Sequence, residues 1–456
     1  MTTPAALPRR PNPPQRQRQN GPGPRCTTGA AAAGLAALLP ALLAGLHCGP
    51  AAAQVSPYYV GVSQYLGYNS NIYRLGDQQA LPANDNAHKS DLVSATSLVA
   101  GIDQSFGRQR VYGSGTLGTN RYQHNSNLNG ETYNLNLGLD WATINRLSGT
   151  LSASATQNLA QFNAALDKNG KVLTAKNLTN TEQVNTRVAL GVVTRYTAEA
   201  SLGWRRQRYS AAAYDSLEFD EHNGSLGLRY RPSDLLQLGA ALRLTQASYP
   251  RFSALANGGF EPDKLKREDI DFTGQWQTSG ASTVTARLSP TRTRYERNTA
   301  TNFSGFTGSA GWVWAVTGKT RLSTTLSRDT AQSAQAASLG VLGNRVSDYG
   351  QITNALQLRA DHELTGKISL NTTLTYANRS LNSNLTFSGL PLLNQAERGS
   401  DNDVNLALGA RWVPTRGSQV GCDISTERRS TTNTRLSLPL SAALFSCYGQ
   451  LTLQSL

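Results

Sequence analysis

The chain lacks long hydrophobic runs. Beyond the N-terminal segment, no stretch of the 456 residues approaches the roughly 20 consecutive apolar residues that a membrane-spanning helix needs. With 39% hydrophobic residues and a mean hydropathy of −0.39, the chain is polar on average. A helical membrane anchor is therefore excluded.

Catalytic motifs are also missing. The histidines beyond the N-terminal segment are His88, His124, His222 and His362, and none of them belongs to a GxSxG or HExxH pattern. The stretch GSGTLG at 113–118 matches GxGxxG, but it lies inside an alternating strand with no helix after it. The sequence therefore offers no nucleophile paired with a base, and we expect neither an enzyme nor a cofactor.

Four acidic residues gather in the stretch DSLEFDEHNG: Asp215, Glu218, Asp220 and Glu221. Such a loop could hold a divalent cation, but the spacing matches no Ca²⁺-binding loop. A solvated acidic loop is the favoured interpretation, and no metal site is predicted.

Residues 1–53 differ in composition from the rest of the chain. They contain arginines but no acidic residue, then the apolar run AAAAGLAALLPALLAGL, then small residues directly before Gln54. This order predicts a secretory signal peptide cleaved before Gln54, with 54–456 as the mature chain. Cys48 offers a lipoprotein as the alternative, but the residues before it match a lipobox poorly.

The charge balance is basic, with a formal net charge of +14 at pH 7. Basic chains often bind nucleic acid, but an exported protein rarely meets any. We therefore expect anionic lipid or glycan as the class of partner, and no nucleic acid.

Apolar residues recur at every second position in many segments. In residues 133–141, Tyr133, Leu135, Leu137, Leu139 and Trp141 share one parity, and the residues between them are Asn, Gly or Asp. A period of two predicts a strand with one apolar face. About eighteen such segments (16–18) are present, each near or above the about 9–11 residues that a tilted strand needs to cross a bilayer.

The connections between these segments alternate in length. Short turns are predicted at FGRQR, TINR, TRYT, RPSD, TSGAS, VTGKT, LTGK and PTRGS. Long polar loops are predicted between them, for example at 68–91, 164–183, 249–268 and 382–403. Short turns on one side and long loops on the other are typical of an outer-membrane barrel, with the turns in the periplasm and the loops outside. The predicted fold is an all-β transmembrane antiparallel barrel.

Four tryptophans each close a strand that runs into a short turn: Trp141, Trp276, Trp314 and Trp412. At one common height they would form the aromatic girdle of a membrane barrel. A core packing role would instead scatter them along the strands, so the girdle is favoured.

Arginines fall into two sets by parity. The first set has the polar parity and is predicted to line the lumen: Arg187, Arg205, Arg229, Arg243, Arg287, Arg321, Arg359 and Arg411. These side chains could line a path for an anionic or hydroxyl-rich solute. Equally, they could pair with Glu199, Asp269, Asp271 or Asp361 and brace the wall.

The second set has the lipid-facing parity but lies at the loop ends of strands. It comprises Arg206, Arg208, Arg292 and Arg294, with Arg328 and Arg428 in similar positions. An arginine costs only about 0–1 kcal/mol there and can bind lipopolysaccharide phosphates in bidentate fashion. Snorkelling without a specific partner is the alternative.

Two cysteines remain in the mature chain, Cys422 and Cys447, and both share the parity of the apolar residues around them. A tight link near Asn433 would place them opposite each other on the last two strands. In an oxidising compartment a cross-strand disulfide is the favoured interpretation, with two buried free thiols as the alternative.

Several segments together resemble a known family: YVGVSQYLGYNSNIYRL, LVAGIDQSFGRQRVYG, LGLDWATINRLSGTLSASATQNLAQF, SLGLRYRPS, GASTVTARLSPTRTRYER, TGKTRLSTTLSRDT, VGCDIS and CYGQLTL. The chain is similar over most of its mature length to the EpsL-type barrels encoded with exopolysaccharide biosynthesis genes in Gram-negative bacteria. The resemblance implies a porin-like outer-membrane component of polysaccharide export, no catalytic residues, and a cysteine pair at Cys422 and Cys447.

The first functional hypothesis is a passive conduit for exopolysaccharide, in which polar lumen side chains make many weak hydrogen bonds to a sliding glycan. Its partners would be membrane lipid, lipopolysaccharide, the polymer and periplasmic export components. A general small-solute diffusion porin and a plugged structural or adhesive barrel are the alternatives. An outer-membrane hydrolase comes last because no triad is present.

Overall fold

The computed structural model describes residues 57–76, 79–82, 86–144, 146–162, 174–191, 194–254, 259–297, 299, 302–330, 350–385, 395–434 and 437–454. The predicted signal peptide, residues 1–53, lies outside the described residues. Within the described part of the chain, no helix is long and apolar enough to cross a membrane.

Eighteen strands make up a single antiparallel sheet. In chain order they are β1 (Tyr58–Asn69), β2 (Asp91–Phe106), β3 (Gln109–Tyr122), β4 (Gly130–Ala142), β5 (Leu147–Leu159), β6 (Leu178–Leu190), β7 (Tyr196–Tyr209), β8 (Phe219–Ser233), β9 (Leu236–Ala254), β10 (Phe260–Ser279), β11 (Ser282–Tyr295), β12 (Phe303–Ala315), β13 (Thr320–Thr330), β14 (Gly350–Glu363), β15 (Ile368–Leu385), β16 (Gln395–Thr415), β17 (Ser418–Thr431) and β18 (Leu440–Gln454). Two short 3-10 turns, Ser126–Leu128 and Ala212–Leu217, lie in the loops.

The sheet closes on itself. Every strand pairs with the next one in sequence, and β1 pairs with both β2 and β18, so that Tyr59 faces Gly101 on one side and Gln454 on the other. Closure removes the free edge of the sheet, and it therefore bonds every backbone group that would otherwise be exposed to lipid. The prediction of a closed antiparallel barrel of about eighteen strands is confirmed.

The two faces of the wall differ in polarity, as strand β9 illustrates. Leu242 and Leu244 point outward and are 61% and 54% exposed, whereas Arg243 between them points inward. The same alternation gives the other strands an outward belt of Leu, Val, Ile and aromatic side chains. An apolar exterior around a closed barrel is the architecture of outer-membrane proteins, and this chain is a barrel of the outer membrane.

Short turns lie at one end of the barrel and long loops at the other. Strands β2 and β3 are joined by Gly107 and Arg108 alone, and the φ of +64° at Gly107 lies in the region that glycine adopts most easily. At the other end, residues 70–90 connect β1 to β2. The first residue of β1 and the last residue of β18 both lie at the end of the barrel with the short turns. This arrangement agrees with the predicted periplasmic turns and extracellular loops.

Several strands extend into segments that the sequence predicts as loops. Of the predicted loop at 249–268, residues 249–254 and 260–268 continue β9 and β10, and Tyr249 pairs with Asp263. Strands β6, β15 and β16 likewise extend into their predicted loops. In this part of β10 the outward positions carry Lys264, Lys266 and Glu268, so hydrophobic alternation is lost although the backbone pairing continues.

A disulfide joins Cys422 to Cys447. The two residues face each other across β17 and β18 on the outward side, beside the strand pair that closes the barrel. The cross-link therefore fixes the register of β17 and β18, the last hairpin of the barrel, next to the closing pair.

The outward belt predicts a depth-dependent cost for charge. Replacing Leu242 with Arg places a guanidinium near the middle of the belt and should lower the free energy of unfolding in bilayers by about 2–4 kcal/mol. The matched control is Leu190→Arg at the turn end of β6, where the loss should be only about 0–1 kcal/mol. Equal losses in denaturant titrations of liposome-embedded protein would contradict the assigned faces.

Candidate functional site

The lumen is the candidate functional site, because the inward positions of all strands converge on it. The structure places the whole first set of arginines at inward positions: Arg187, Arg205, Arg229, Arg243, Arg287, Arg321, Arg359 and Arg411. Register explains this arrangement, since a slip by one residue would turn each of them into lipid. The inner wall is consequently polar from the turn end to the mouth.

Some of these arginines pair with carboxylates of the wall. Glu199 on β7 forms ion pairs with Arg187, at 2.6 Å, and with Arg229. On β14, Arg359 donates to Asp361 at 2.8 Å. These pairs link neighbouring inward positions, and because they are partly exposed to water they contribute little to stability.

A larger group of charges lies on β9 to β13 near the loop end. This group, here called the β9–β13 cluster, consists of Arg243, Arg267, Asp269, Asp271, Arg287 and Asp329. Arg267 donates to Asp269 at 2.9 Å on its own strand and to Asp329 at 3.1 Å, three strands away. Because Arg267 and Asp269 are almost fully buried, their charges depend on these pairings.

A second group, the β15–β17 cluster, consists of Arg379, Asp401, Asp403, Glu427 and Arg429. Arg379 binds Asp401 through two hydrogen bonds of 2.6 and 3.0 Å, and Ser437 donates to the same carboxylate at 2.6 Å. Asp401 and Asp403 are both completely buried. Such burial inside a barrel requires that other parts of the chain cover the wall at this height.

The loop between β1 and β2 supplies part of this cover. Arg74, which has a φ of +56°, donates to Glu427 of the β15–β17 cluster at 2.7 Å. On the other side, the ring of Tyr73 packs on Phe162, with 4.8 Å between the ring centroids, and its hydroxyl donates to Asn125 at 3.0 Å. Since Glu427 points inward from β17, Arg74 fixes the loop against the inner wall at the loop end of the barrel.

Three lumen arginines differ from the paired ones. Arg321 and Arg411 are exposed within the lumen, and Arg321 faces Asp361 across the strand pair. Arg205 is only 7% exposed, its guanidinium lies 5.2 Å from the ring centre of Phe219, and its Nε has no hydrogen-bond partner among the described residues. Arg321 and Arg411 therefore keep the most capacity to contact a solute, whereas Arg205 is buried in the wall.

The four predicted girdle tryptophans all lie close to the short-turn ends of their strands. Trp276, Trp314 and Trp412 are exposed on the outer face, and Trp141 covers Gly149 of the next strand. Trp312, which the sequence analysis omits, stacks on Trp314 with 5.5 Å between the ring centroids.

The second set of arginines lies on the outer face at the loop ends of β7 and β11. Arg206 and Arg208 are close to Asp220 on β8, with 3.7 Å between Arg206 and the carboxylate. Arg292 and Arg294 are exposed and face Glu268 and Lys266 across the strand pair. The outer face therefore carries basic side chains at the loop ends of β7 and β11, and Asp220 partly neutralises those on β7.

The acidic stretch is not one solvated loop. Asp215 accepts from Arg251 at 3.1 Å, Glu218 accepts from the backbone of Tyr209 at 2.9 Å, and Asp220 points outward. Glu221 points into the lumen, because β8 already begins at Phe219. Among the described residues, no group of three His, Cys, Asp or Glu side chains could hold a metal ion.

The residues singled out from the sequence do not include Arg74, which pairs with Glu427, nor several members of the two clusters: Arg267, Asp329, Arg379, Asp401, Asp403, Glu427 and Arg429. Most of them share the inward parity of their strands, so the alternation contained the signal. Arg74 lies in a loop, where no periodic pattern marks it.

No known protein family has a sequence profile that matches this chain, and no curated protein sequence is detectably similar. Solved structures with a similar course of the chain include the FrpB iron transporter from Neisseria meningitidis (F3-3 variant), with 12% identity, 83% of this chain and 63% of that chain covered, and a TM-score of 0.44. They also include Pseudomonas aeruginosa OccK5 (OpdH), with 10% identity, 87% and 98% covered, and a TM-score of 0.41. Pseudomonas aeruginosa OccK9 (OpdG) has 12% identity, 87% and 98% covered, and a TM-score of 0.42.

The chain thus spans about 63% of the length of FrpB. Because these TM-scores are below 0.5, the function proposed below rests on the geometry of this barrel and on its sequence.

The buried clusters predict a large difference between two otherwise similar substitutions. Asp401→Asn leaves the guanidinium of Arg379 buried with its best carboxylate partner removed, and should lower the free energy of unfolding by about 3–5 kcal/mol. Asp361→Asn removes the partner of the exposed Arg359 and should have little effect. Unfolding in detergent micelles, followed by tryptophan fluorescence, measures both. A small loss in both variants would show that the cluster is accessible to water.

Proposed function

We propose that the protein is a porin-like channel of the outer membrane that passes exopolysaccharide to the cell surface. The observation that supports this most is the inner wall, which is polar at every height and on which most charges are already paired. A wall of this kind offers hydroxyl groups many weak hydrogen bonds and few strong attachment points. A hydrated neutral or mildly charged polymer can slide along it.

The pairing of charges argues against a strongly ion-selective pore. In both clusters, acidic and basic side chains alternate, so their fields cancel over a few ångströms. Selectivity would then come from size and hydrogen bonding. The resemblance to EpsL-type barrels favours a polysaccharide over a small solute and favours periplasmic export components as partners.

The loop between β1 and β2 supports a second candidate, a barrel that is closed at rest. Arg74 ties this loop to Glu427 on the inner wall, and Tyr73 ties it to Asn125 in the loop between β3 and β4. If these contacts persist during function, the barrel is a plugged surface protein. If they open, the loop is the gate of the channel.

Recording of single channels in planar bilayers tests the proposal. The purified protein should conduct ions, and exopolysaccharide from the same cells should block the current in a concentration-dependent way. Deletion of the gene should leave polymer in the periplasm and remove it from the surface. A conducting protein that ignores the polymer, in cells whose surface polymer is unchanged by the deletion, would favour a small-solute porin instead.

The loop contact generates its own prediction. Arg74→Ala removes the ion pair with Glu427 and should raise the conductance or the open probability, because the loop loses its attachment to β17. Lys89→Ala is the matched control, since it removes an exposed charge from the same loop. Identical channel records for Arg74→Ala and the unmodified protein would show that this pair does not restrict the pore.

A further inference from the structure

Four tyrosines below the loop end of the barrel point into the lumen in the half of the wall around the closing strand pair. They are Tyr59 and Tyr65 on β1, Tyr112 on β3 and Tyr448 on β18. On β1, Val60 and Val62 are exposed on the outer face, which fixes Tyr59 and Tyr65 as inward. Tyr65 and Tyr448 lie directly opposite each other in the register of β1 and β18.

Each of these rings lies over a glycine. A Cβ atom added to the glycine would meet ring atoms of the tyrosine at 2.2 to 2.8 Å, so the missing side chain is what makes room for the ring. The pairs are Tyr59 over Gly101, Tyr112 over Gly138, Tyr448 over Gly421 and Tyr65 over Gly67. The rings therefore lie along the wall, with one side covered by the backbone and the other side toward the lumen.

Tyr59 and Tyr112 are surrounded by polar groups, some of which donate hydrogen bonds and some of which accept them. Asp103 and Arg110 form a bidentate pair at 2.7 and 2.5 Å, and both side chains are about half exposed. Asn136 lines the same recess, which has a volume of about 590 Å³. The guanidinium of Arg110 also lies 5.1 Å from the ring centre of Tyr112.

We propose that these four tyrosines form a track on the lumen wall that binds the sugar rings of the transported polymer. Aromatic rings offer a flat apolar face to the C–H groups of a pyranose, and adjacent carboxylate, guanidinium and amide groups bind its hydroxyls. A flat aromatic surface beside a few convergent polar groups is the composition that a carbohydrate site needs. This inference deepens the proposed function and rests on it.

The spacing of the track suits a polymer better than a single sugar. Tyr59 and Tyr65 are six residues apart on one strand, which corresponds to about 20 Å along β1. Several weak sites in sequence allow a chain to enter and still to move on, because release from one site is offset by binding at the next.

Rings that cover glycines also support strand pairing, so stability and binding have to be measured separately. The test compares the double variant Tyr59→Leu/Tyr112→Leu with Tyr59→Phe/Tyr112→Phe, which keeps the rings. The matched control is Tyr196→Leu/Tyr230→Leu, because this pair stacks on the outer face at 4.9 Å between centroids. The heat-induced gel shift of the barrel reports folding for each variant.

The readout is the block of single-channel current by two probes, maltohexaose and the exopolysaccharide from the same cells. The Leu variant should need about a tenfold higher concentration of both probes for half block, while the Phe variant and the outer control stay within about twofold. If the Leu variant does not fold, Asn136→Ala/Asn185→Ala removes hydrogen-bond partners from the same recess without removing a ring, and should weaken the block in the same direction.

An unchanged half-blocking concentration in the folded Leu variant would overturn the proposed track. If the Leu variant does not fold, the same result in the asparagine variant would overturn it. An unmodified channel that neither probe blocks would also overturn it. The proposed function fails by a different result, namely normal surface polymer after deletion of the gene. The two failures are therefore distinguishable, because one is measured in the bilayer and the other on cells.

Discussion

Hydrocarbon offers no hydrogen-bond partner to a peptide group, and the rest of this structure depends on that constraint. A sheet that crosses a bilayer has to close, and β1 pairs with β18 along most of its length to close it. Closure in turn separates two solvents, lipid outside and water inside, and the side-chain period of two assigns alternate residues to each. The disulfide between Cys422 and Cys447 lies on the last hairpin, beside the closing pair.

The lumen shows what happens to charge inside such a cylinder. Toward the turns, pairs such as Arg359 with Asp361 are exposed to water and are weakly coupled to stability. Toward the loops, Arg267 and Arg379 are buried, and their charges have to be paired with carboxylates. The same residue types therefore contribute to the stability of the fold there. The ion pair of Arg74 with Glu427 extends this second pattern to the loop between β1 and β2.

Much of the fold follows from the sequence, because alternation and turn length are local signals. The strand number, the inward arginines and the position of Trp276 all follow from parity. The extension of β9 and β10 above the bilayer does not, since its outward positions on β10 carry charged residues in place of apolar ones. The contact of Arg267 with Asp329 spans 62 residues and three strands, and it depends on register and on the curvature of the wall. The contact of Arg74 with Glu427 is harder still to predict, because a loop has no periodic pattern of side chains that would mark Arg74.

The most direct measurement of the central claim is a scan of single cysteines along residues 238–245 of β9, in protein inserted into liposomes. Cys422 and Cys447 do not react, since they are joined to each other. A membrane-impermeant thiol reagent should label positions 239, 241, 243 and 245 from the water-filled lumen, and a lipid-dissolved quencher should reach labels at 238, 240, 242 and 244. Labelling by the water-soluble reagent at consecutive positions would contradict a closed barrel with one face in lipid and one in water.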